Sequence, residues 1–288
     1  MDKEINPNLL LKDAGFELDP PGFYQMILTL GRTSLEAVVF DPSRKKFIAF
    51  LQYNIPGNSG KKEYFEQVGR IMAADELLRL PYKNIRVIWQ SQTSTLVPAP
   101  LFDIGARESY LQFNQGLDAG DVVISDNIRN ADAYNIFAVP AELYTAVGSL
   151  HPRIHHHASV LIETLLLLNR HNINPMQVFV NVHTGFFDMV VINERKLRFY
   201  NSFAYNSVED FIYFVLYVFE QLKLMPEKDM VTLSGQILKN SPIYDIMYKY
   251  IRYLTFAGPI GQVTESYILQ DIEAYQYQTL FNSILCEL

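Results

Sequence analysis

The sequence predicts a mixed α/β protein in which one unit, three strands followed by a helix and a further strand, occurs twice. Three observations lead there: two stretches of chain echo each other, a further β-rich run precedes each echo, and a helical pattern with a short β-branched strand follows each. Strands and helices alternating in this order place helices on both faces of mixed sheets.

The first echo runs Leu35-Glu36-Ala37-Val38-Val39-Phe40-Asp41, a turn, then Lys45-Lys46-Phe47-Ile48-Ala49-Phe50. The second runs Phe187-Asp188-Met189-Val190-Val191-Ile192-Asn193, a shorter turn, then Arg195-Lys196-Leu197-Arg198-Phe199-Tyr200. Each carries an acid, a paired valine, a turn former, basic residues and an aromatic strand. The runs Tyr24 to Leu30 and Gln177 to His183 precede them and complete three-strand meanders. Asp41-Pro42-Ser43 and Asn193-Glu194 supply turn chemistry between β-branched and aromatic runs.

Helical spacing follows each meander, first in Phe65, Val68, Ile71 and Met72, then in Val208, Phe211, Ile212, Val215, Phe219 and Leu222. Ser207, with Asp210 three residues on, predicts an N-cap for the second helix. Ile85 to Trp89 and Met230 to Leu233 then read as the closing strands. Between the copies, Leu96-Val97-Pro98-Ala99-Pro100-Leu101-Phe102 and Ala138-Val139-Pro140-Ala141-Glu142-Leu143-Tyr144 share a strand-to-helix pattern, since proline suits a first helical turn. Strands are expected at Asp121 to Ser125 and Tyr134 to Val139, and a buried leucine-rich helix at Ser159 to Asn169. That helix is the expected crossover, residues 158–171, between a first domain of residues 1–157 and a second of residues 158–288. In the tail, Ser241-Pro242 starts a helix, Tyr253 to Phe256 reads as a strand, Gly258-Pro259 as a turn, and a last helix ends near Leu285.

A chain of 288 residues buries enough apolar surface for two domains, and 49% apolar against 19% charged residues excludes disorder. Net charge is −7 and the basic residues are scattered, which argues against nucleic acid as a partner. The single Cys286 cannot form an internal disulfide, and the amino terminus does not read as a signal peptide, so a cytoplasmic location is expected. The apolar run Phe211 to Phe219 is far shorter than the roughly 20 residues a membrane helix needs, so no membrane span is expected.

The doubled unit resembles the ribonuclease-H-like plan of the actin, heat-shock chaperone and sugar-kinase superfamily, the actin-like ATPase fold, and particularly its pilus-assembly branch. The Pro-led junctions and the closing Leu285-Cys286-Glu287-Leu288 resemble an uncharacterised bacterial family, domain of unknown function 3822. The resemblance implies a nucleotide cleft in which Asp-x-Gly turns cradle phosphates and place Mg²⁺. Here the first such turn is Thr29-Leu30-Gly31-Arg32-Thr33-Ser34 and the second Asn181-Val182-His183-Thr184-Gly185, with Thr29 and Asn181 where the carboxylates belong. A glycine pair for adenosine is implied at Val231-Thr232-Leu233-Ser234-Gly235-Gln236, where one glycine remains. Gly31, Arg32, Thr33, Thr184, Gly185, Ser234 and Gly235 are thus the candidate nucleotide-binding residues. Ordinary hairpin turns and strand punctuation are the competing reading.

ATP is the only cofactor this resemblance suggests, and without those carboxylates no metal is expected. A non-catalytic protein-interaction or scaffold module with a degenerate cleft follows, with an unidentified protein partner and the oligomeric state open. The alternative is an active ATPase or kinase-like enzyme using Arg32, Thr33 and Asp188. A nuclease would need several converging carboxylates, and these are missing. Pro56-Gly57-Asn58-Ser59-Gly60-Lys61-Lys62 lacks phosphate-loop spacing and reads as a surface loop. His155-His156-His157 reads as a solvated or helix-edge cluster, since adjacent side chains diverge. Cys286 reads as buried packing, Glu36 and Asp188 have no evident partner, and Tyr244, Tyr248, Tyr250 and Tyr253 suit core and interface equally.

Overall fold

The computed structural model describes residues 5–16, 23–57, 60–172, 176–258, 270–286 and 288. Asn58, Ser59, Pro259 and Glu287, which belong to segments singled out above, lie outside them.

The first unit opens with an edge strand, Leu9–Lys12 (β1), followed by the meander Gln25–Leu30 (β2), Ser34–Asp41 (β3) and Lys46–Asn54 (β4), helix Lys61–Ala74 (α1) and strand Asn84–Trp89 (β5). An insertion follows: Ser94–Pro98 (β6), Arg107–Asn114 (α2), Val122–Ile128 (β7), Ala133–Val139 (β8) and Ala141–Val147 (α3). Arg153–His156 (β9) then leads into His157–Leu168 (α4). The second unit comprises Met176–His183 (β10), Phe186–Asn193 (β11), Lys196–Ala204 (β12), Val208–Leu222 (α5), Val231–Gly235 (β13), Pro242–Tyr250 (α6) and Leu254–Phe256 (β14). Helix Gln278–Asn282 (α7) and a 3₁₀ turn, Ser283–Leu285, close the chain.

Strand order in the first sheet is β1-β4-β3-β2-β5-β9, and in the second β12-β11-β10-β13-β14. Leaving β1 aside, the two orders match strand for strand. Each meander is antiparallel and each closing strand lies parallel to the first strand of its meander. The match extends to an irregularity, since the register slips between Val39 and Phe40 in one meander and between Val191 and Ile192 in the other. The three-stranded β6-β8-β7 sheet interrupts the first unit. Of the two Pro-led junctions, only that at Pro140 opens an α-helix; Ala99–Leu101 is a single 3₁₀ turn.

Period-two alternation decides which face each strand residue serves. Met26, Leu28, Leu30, Ala37 and Val39 face α1 and α3, while Ile27, Val38, Phe40, Phe47 and Phe50 face away from them. Both faces are covered, which is why β3 is buried from end to end. The far face is covered by Leu280 and Phe281 of α7 and by Cys286, and half-buried Arg86 of β5 donates to the carbonyls of Ser283 and Cys286.

In the second sheet, Val178, Val180, Val182, Phe187, Met189 and Val191 pack against α5 and α6. Ser207 and Asp210 form the expected capping box on α5. The other face meets α4 through Leu161, Ile162, Leu165 and Leu166, while Val160 of that helix reaches the first sheet's cluster. Residues 157–166 are buried without a break. A helix buried on every side is stable only when enclosed, and α4 is held between the two sheets. Among the described residues no helix is long and apolar enough to cross a membrane.

Candidate functional site

The two meander turns meet face to face where the sheets approach each other. In the first, the Gly31 N–H donates to the Ser34 carbonyl at 2.9 Å, and the Tyr64 hydroxyl donates to the Gly31 carbonyl at 2.6 Å. In the second, Thr184 and Gly185 form a two-residue connection with Gly185 at φ +82°, a left-handed conformation that suits glycine. Thr33 Oγ1 and Thr184 Oγ1 lie 3.2 Å apart, and Thr184 also donates to Gln236 Oε1 at 2.5 Å. A methyl group on Gly185 would stand 3.2 Å from the Arg32 guanidinium. The structure therefore brings Arg32, Thr33, Thr184 and Gly185 together, with the Thr33 and Thr184 hydroxyls engaged with each other.

The other pair of candidate residues lies one strand away. Ser234 donates to Asn181 Oδ1 at 3.0 Å on the neighbouring strand. Gly235 has φ +82°, and an added Cβ would stand 2.2 Å from the Val182 carbonyl oxygen and 2.6 Å from Asn181 Oδ1. Its glycine is thus required by close packing of β13 on β10. A cavity of about 280 Å³ lies between the sheets, lined among others by Thr29, Glu36, Asn181, His183, Gly235 and Gln236, with Tyr277 and Leu280 of the carboxy-terminal segment along one side. That is just under the range of about 300–1,000 Å³ typical of small-molecule sites. A second hollow of about 380 Å³ has Gly31, Arg32, Lys61, Trp89 and Phe186 in its walls.

The acids left without partners in the sequence take on roles here. Glu36 stands opposite Thr29 in the β2/β3 ladder, and Asp188 stands opposite Asn181 in the β10/β11 ladder. At both places the carboxylate expected on the first strand is replaced by one across the hairpin. Burial raises the Glu36 carboxyl to about 7, with the nearby polar groups of Ser34 and Gln52 opposing the rise. Burial also pushes the Asp188 carboxyl upward, but the charge and hydrogen bond of His157 and the hydrogen bond of His183 outweigh it and hold Asp188 well below the usual carboxylate range. His157 Nε2 and His183 Nε2 lie 2.9 and 2.8 Å from the same oxygen, Asp188 Oδ2, and the Tyr200 hydroxyl donates to Asp188 Oδ1 at 3.0 Å. Burial keeps His183 below its ordinary value despite Asp188.

The solvated reading of the three histidines is overturned, because all three are buried. They sit at the junction of β9, the edge strand of the first sheet, and α4, which lies between the two sheets. His155 Nδ1 meets Asp126 Oδ1 at 2.8 Å, while the His156 backbone N–H donates to Asp126 Oδ2 at 2.9 Å and its ring caps α4. Only His157 joins Asp188, as the divergence of adjacent side chains requires. Counting outward from the two turns would have found the Glu36 and Asp188 positions. The approach of His157 depends on tertiary packing, and no local pattern encodes it. Cys286 is buried, its thiol raised by that burial to about 12.

The family model for "Protein of unknown function (DUF3822)" matches residues 13–254. This chain belongs to that family. No curated protein sequence matches it significantly. Among solved structures, a Bacteroides thetaiotaomicron protein with actin-like ATPase fold and unknown function superposes with a TM-score of 0.79 at 18% identity, over 92% of this chain and 97% of that one. A chain of the PilM–PilN type IV pilus biogenesis complex gives a TM-score of 0.59 at 13% identity, over 92% and 98%. The ethanolamine utilization protein EutJ from Carboxydothermus hydrogenoformans gives 0.50 at 9% identity, over 93% and 91%. At these identities the likeness establishes the actin-like ATPase fold of this DUF3822 protein, which the sequence resemblance had implied.

Proposed function

We propose that this DUF3822 protein is a non-catalytic actin-fold module that acts by binding another protein. The contact between Thr33 and Thr184 carries the reading: the turns that would flank a phosphate hydrogen-bond to each other. Thr29 and Asn181, in place of carboxylates, leave Mg²⁺ without the charge it needs there. Gly235 is taken up by strand packing rather than held open for a base. Exposed tyrosines support a protein partner: Tyr213 and Tyr217, four apart on α5, and Tyr248 and Tyr250 on α6 are all at least 46% exposed, and tyrosine is enriched in interface cores. The PilM–PilN neighbour is itself described as a complex. We read the chain as a cytoplasmic, internally duplicated pair of ribonuclease-H-like domains, dividing at the start of α4.

The test is a thermal unfolding series with millimolar ATP and Mg²⁺, paired with a phosphate-release assay. No shift and no release are expected. A concentration-dependent rise in unfolding temperature, together with ATP hydrolysis that Gly185→Val abolishes, overturns the proposal. It would favour the second reading, an ATP-dependent enzyme, for which Glu36 beside the cavity, poised near neutrality, is the one supporting observation.

A further inference from the structure

We propose that His157, His183 and Asp188 form a buried site for a divalent zinc-class cation that ties α4 to the second sheet. The three come from different elements, the first turn of α4, the end of β10 and the body of β11, yet their ligand atoms all lie within 4.8 Å of one another. Two imidazole nitrogens and one carboxylate oxygen make a donor set suited to Zn²⁺ and its transition-metal neighbours and unsuited to Mg²⁺ or Ca²⁺.

Three features point to a cation. Both Nε2 atoms aim at one oxygen, Asp188 Oδ2, at 2.9 and 2.8 Å. His183 Nε2 also lies 3.1 Å from Asn181 Nδ2, and one ring nitrogen cannot donate to a carboxylate while accepting from an amide. A metal ion at His183 Nε2 would replace the proton and occupy the lone pair, ending the competition with the carboxylate once the Asn181 amide group turns its Nδ2 away from the ring. Burial is the third feature: the Asp188 side chain is fully enclosed, and its hydrogen-bond partners are His157, His183 and Tyr200. A carboxyl group out of water needs donors or a cation around it.

Zinc bonds of about 2.0–2.1 Å set tetrahedral donors roughly 3.3 Å apart, so the cluster would open by about half an ångström around the ion. Tyr200 on the free carboxylate oxygen gives Asp188 the outer support that metal-binding carboxylates commonly have. The cavity lined by Asn181 and His183 reaches the His183 edge of the site. With the Asn181 amide turned end for end, the same atoms form a metal-free hydrogen-bond chain, and the experiment decides between the two.

Untagged protein stripped with a chelator and titrated with Co²⁺ should develop visible absorption saturating at one equivalent. Zn²⁺ should displace the cobalt and, at a hundredfold excess over its dissociation constant, raise the unfolding temperature by about 4 °C. Asp188→Asn and His183→Gln should each lose the absorption. Absence of cobalt binding by the parent protein overturns the site, and so does absorption that survives in both folded variants. Should either variant fail to fold, X-ray absorption on the zinc-loaded parent protein replaces it: two imidazoles and a carboxylate around the ion are expected, and fewer than two imidazoles overturns the site.

Discussion

Thr33 and Thr184, 151 residues apart in sequence, join their hydroxyls at 3.2 Å across the gap between the sheets. The bond is exposed, so it is worth about 1 kcal/mol or less. Replacing Thr33 alone with valine keeps its volume and removes this bond while leaving that of Thr184 to Gln236. The variant should lose no more than about 1 kcal/mol in a urea titration, with an unchanged m value showing that both states keep their compactness.

Gly235→Ala should be among the more damaging single changes. The new Cβ meets the Val182 carbonyl, which belongs to a ladder strand and cannot step aside, and the positive φ adds backbone strain. Together these cost about 3 kcal/mol. Equilibrium denaturation should record that loss, whereas Gly60→Ala, where a Cβ meets nothing within 4 Å, should be nearly silent.

Glu36 makes stability depend on pH above the acid range. Its folded value, about 7, exceeds the unfolded value of 4.5, so the native state binds more protons between these limits. Stability from this group is therefore greatest below about 4.5 and is lost as pH rises through 7. Glu36→Gln should flatten that fall and be the more stable protein at pH 8, by at most about 3 kcal/mol. Thermal unfolding of both proteins from pH 5 to 8 measures the difference.

Asp188 and His183 act in the opposite sense. Asp188 is held low, so its contribution is present above the unfolded value of 3.8 and falls away as pH drops below it; His183, held neutral, loses stability as pH falls below 6.5. Asp188→Ala strands two histidines and a tyrosine in a buried site and should cost about 3–5 kcal/mol at pH 7. Asp188→Asn keeps the shape, should cost less, and should show a shallower acid limb in a pH series of denaturant midpoints.

Phe281 packs edge-on against Phe47 at 4.9 Å and lies 5.9 Å from Phe50. Truncation to alanine leaves a cavity under the first sheet and should cost about 3–5 kcal/mol. A loss under 1 kcal/mol in guanidinium unfolding would show that the carboxy-terminal segment does not hold that face.

Both meanders were legible because their information is local. The β-branched and aromatic runs Leu35 to Asp41 and Phe187 to Asn193, with turn formers after each, mark strand and hairpin partner together, and their echo marks the repeat. The Ser207 cap and the Ser241-Pro242 helix start were legible for the same reason. Strand β1 was missed: four residues at a sheet edge, half exposed, carry too little pattern. The histidines were misread because Arg153 to His156 is a strand by virtue of pairing with β5, more than 60 residues earlier. Of the site, the two turns could be read, while the Asp188 cluster depends on α4 docking beside β11, which is a property of packing alone.

The lining of the first sheet's outer face by Phe281 also bears on how the chain is made. Phe47 and its cover are 234 positions apart in sequence. At about 5–20 residues per second, a ribosome takes roughly ten to fifty seconds to bridge that interval. Throughout it, Phe47 and Phe50 lack their native covering, so early nascent fragments of this protein should be clients for holding chaperones until synthesis reaches α7.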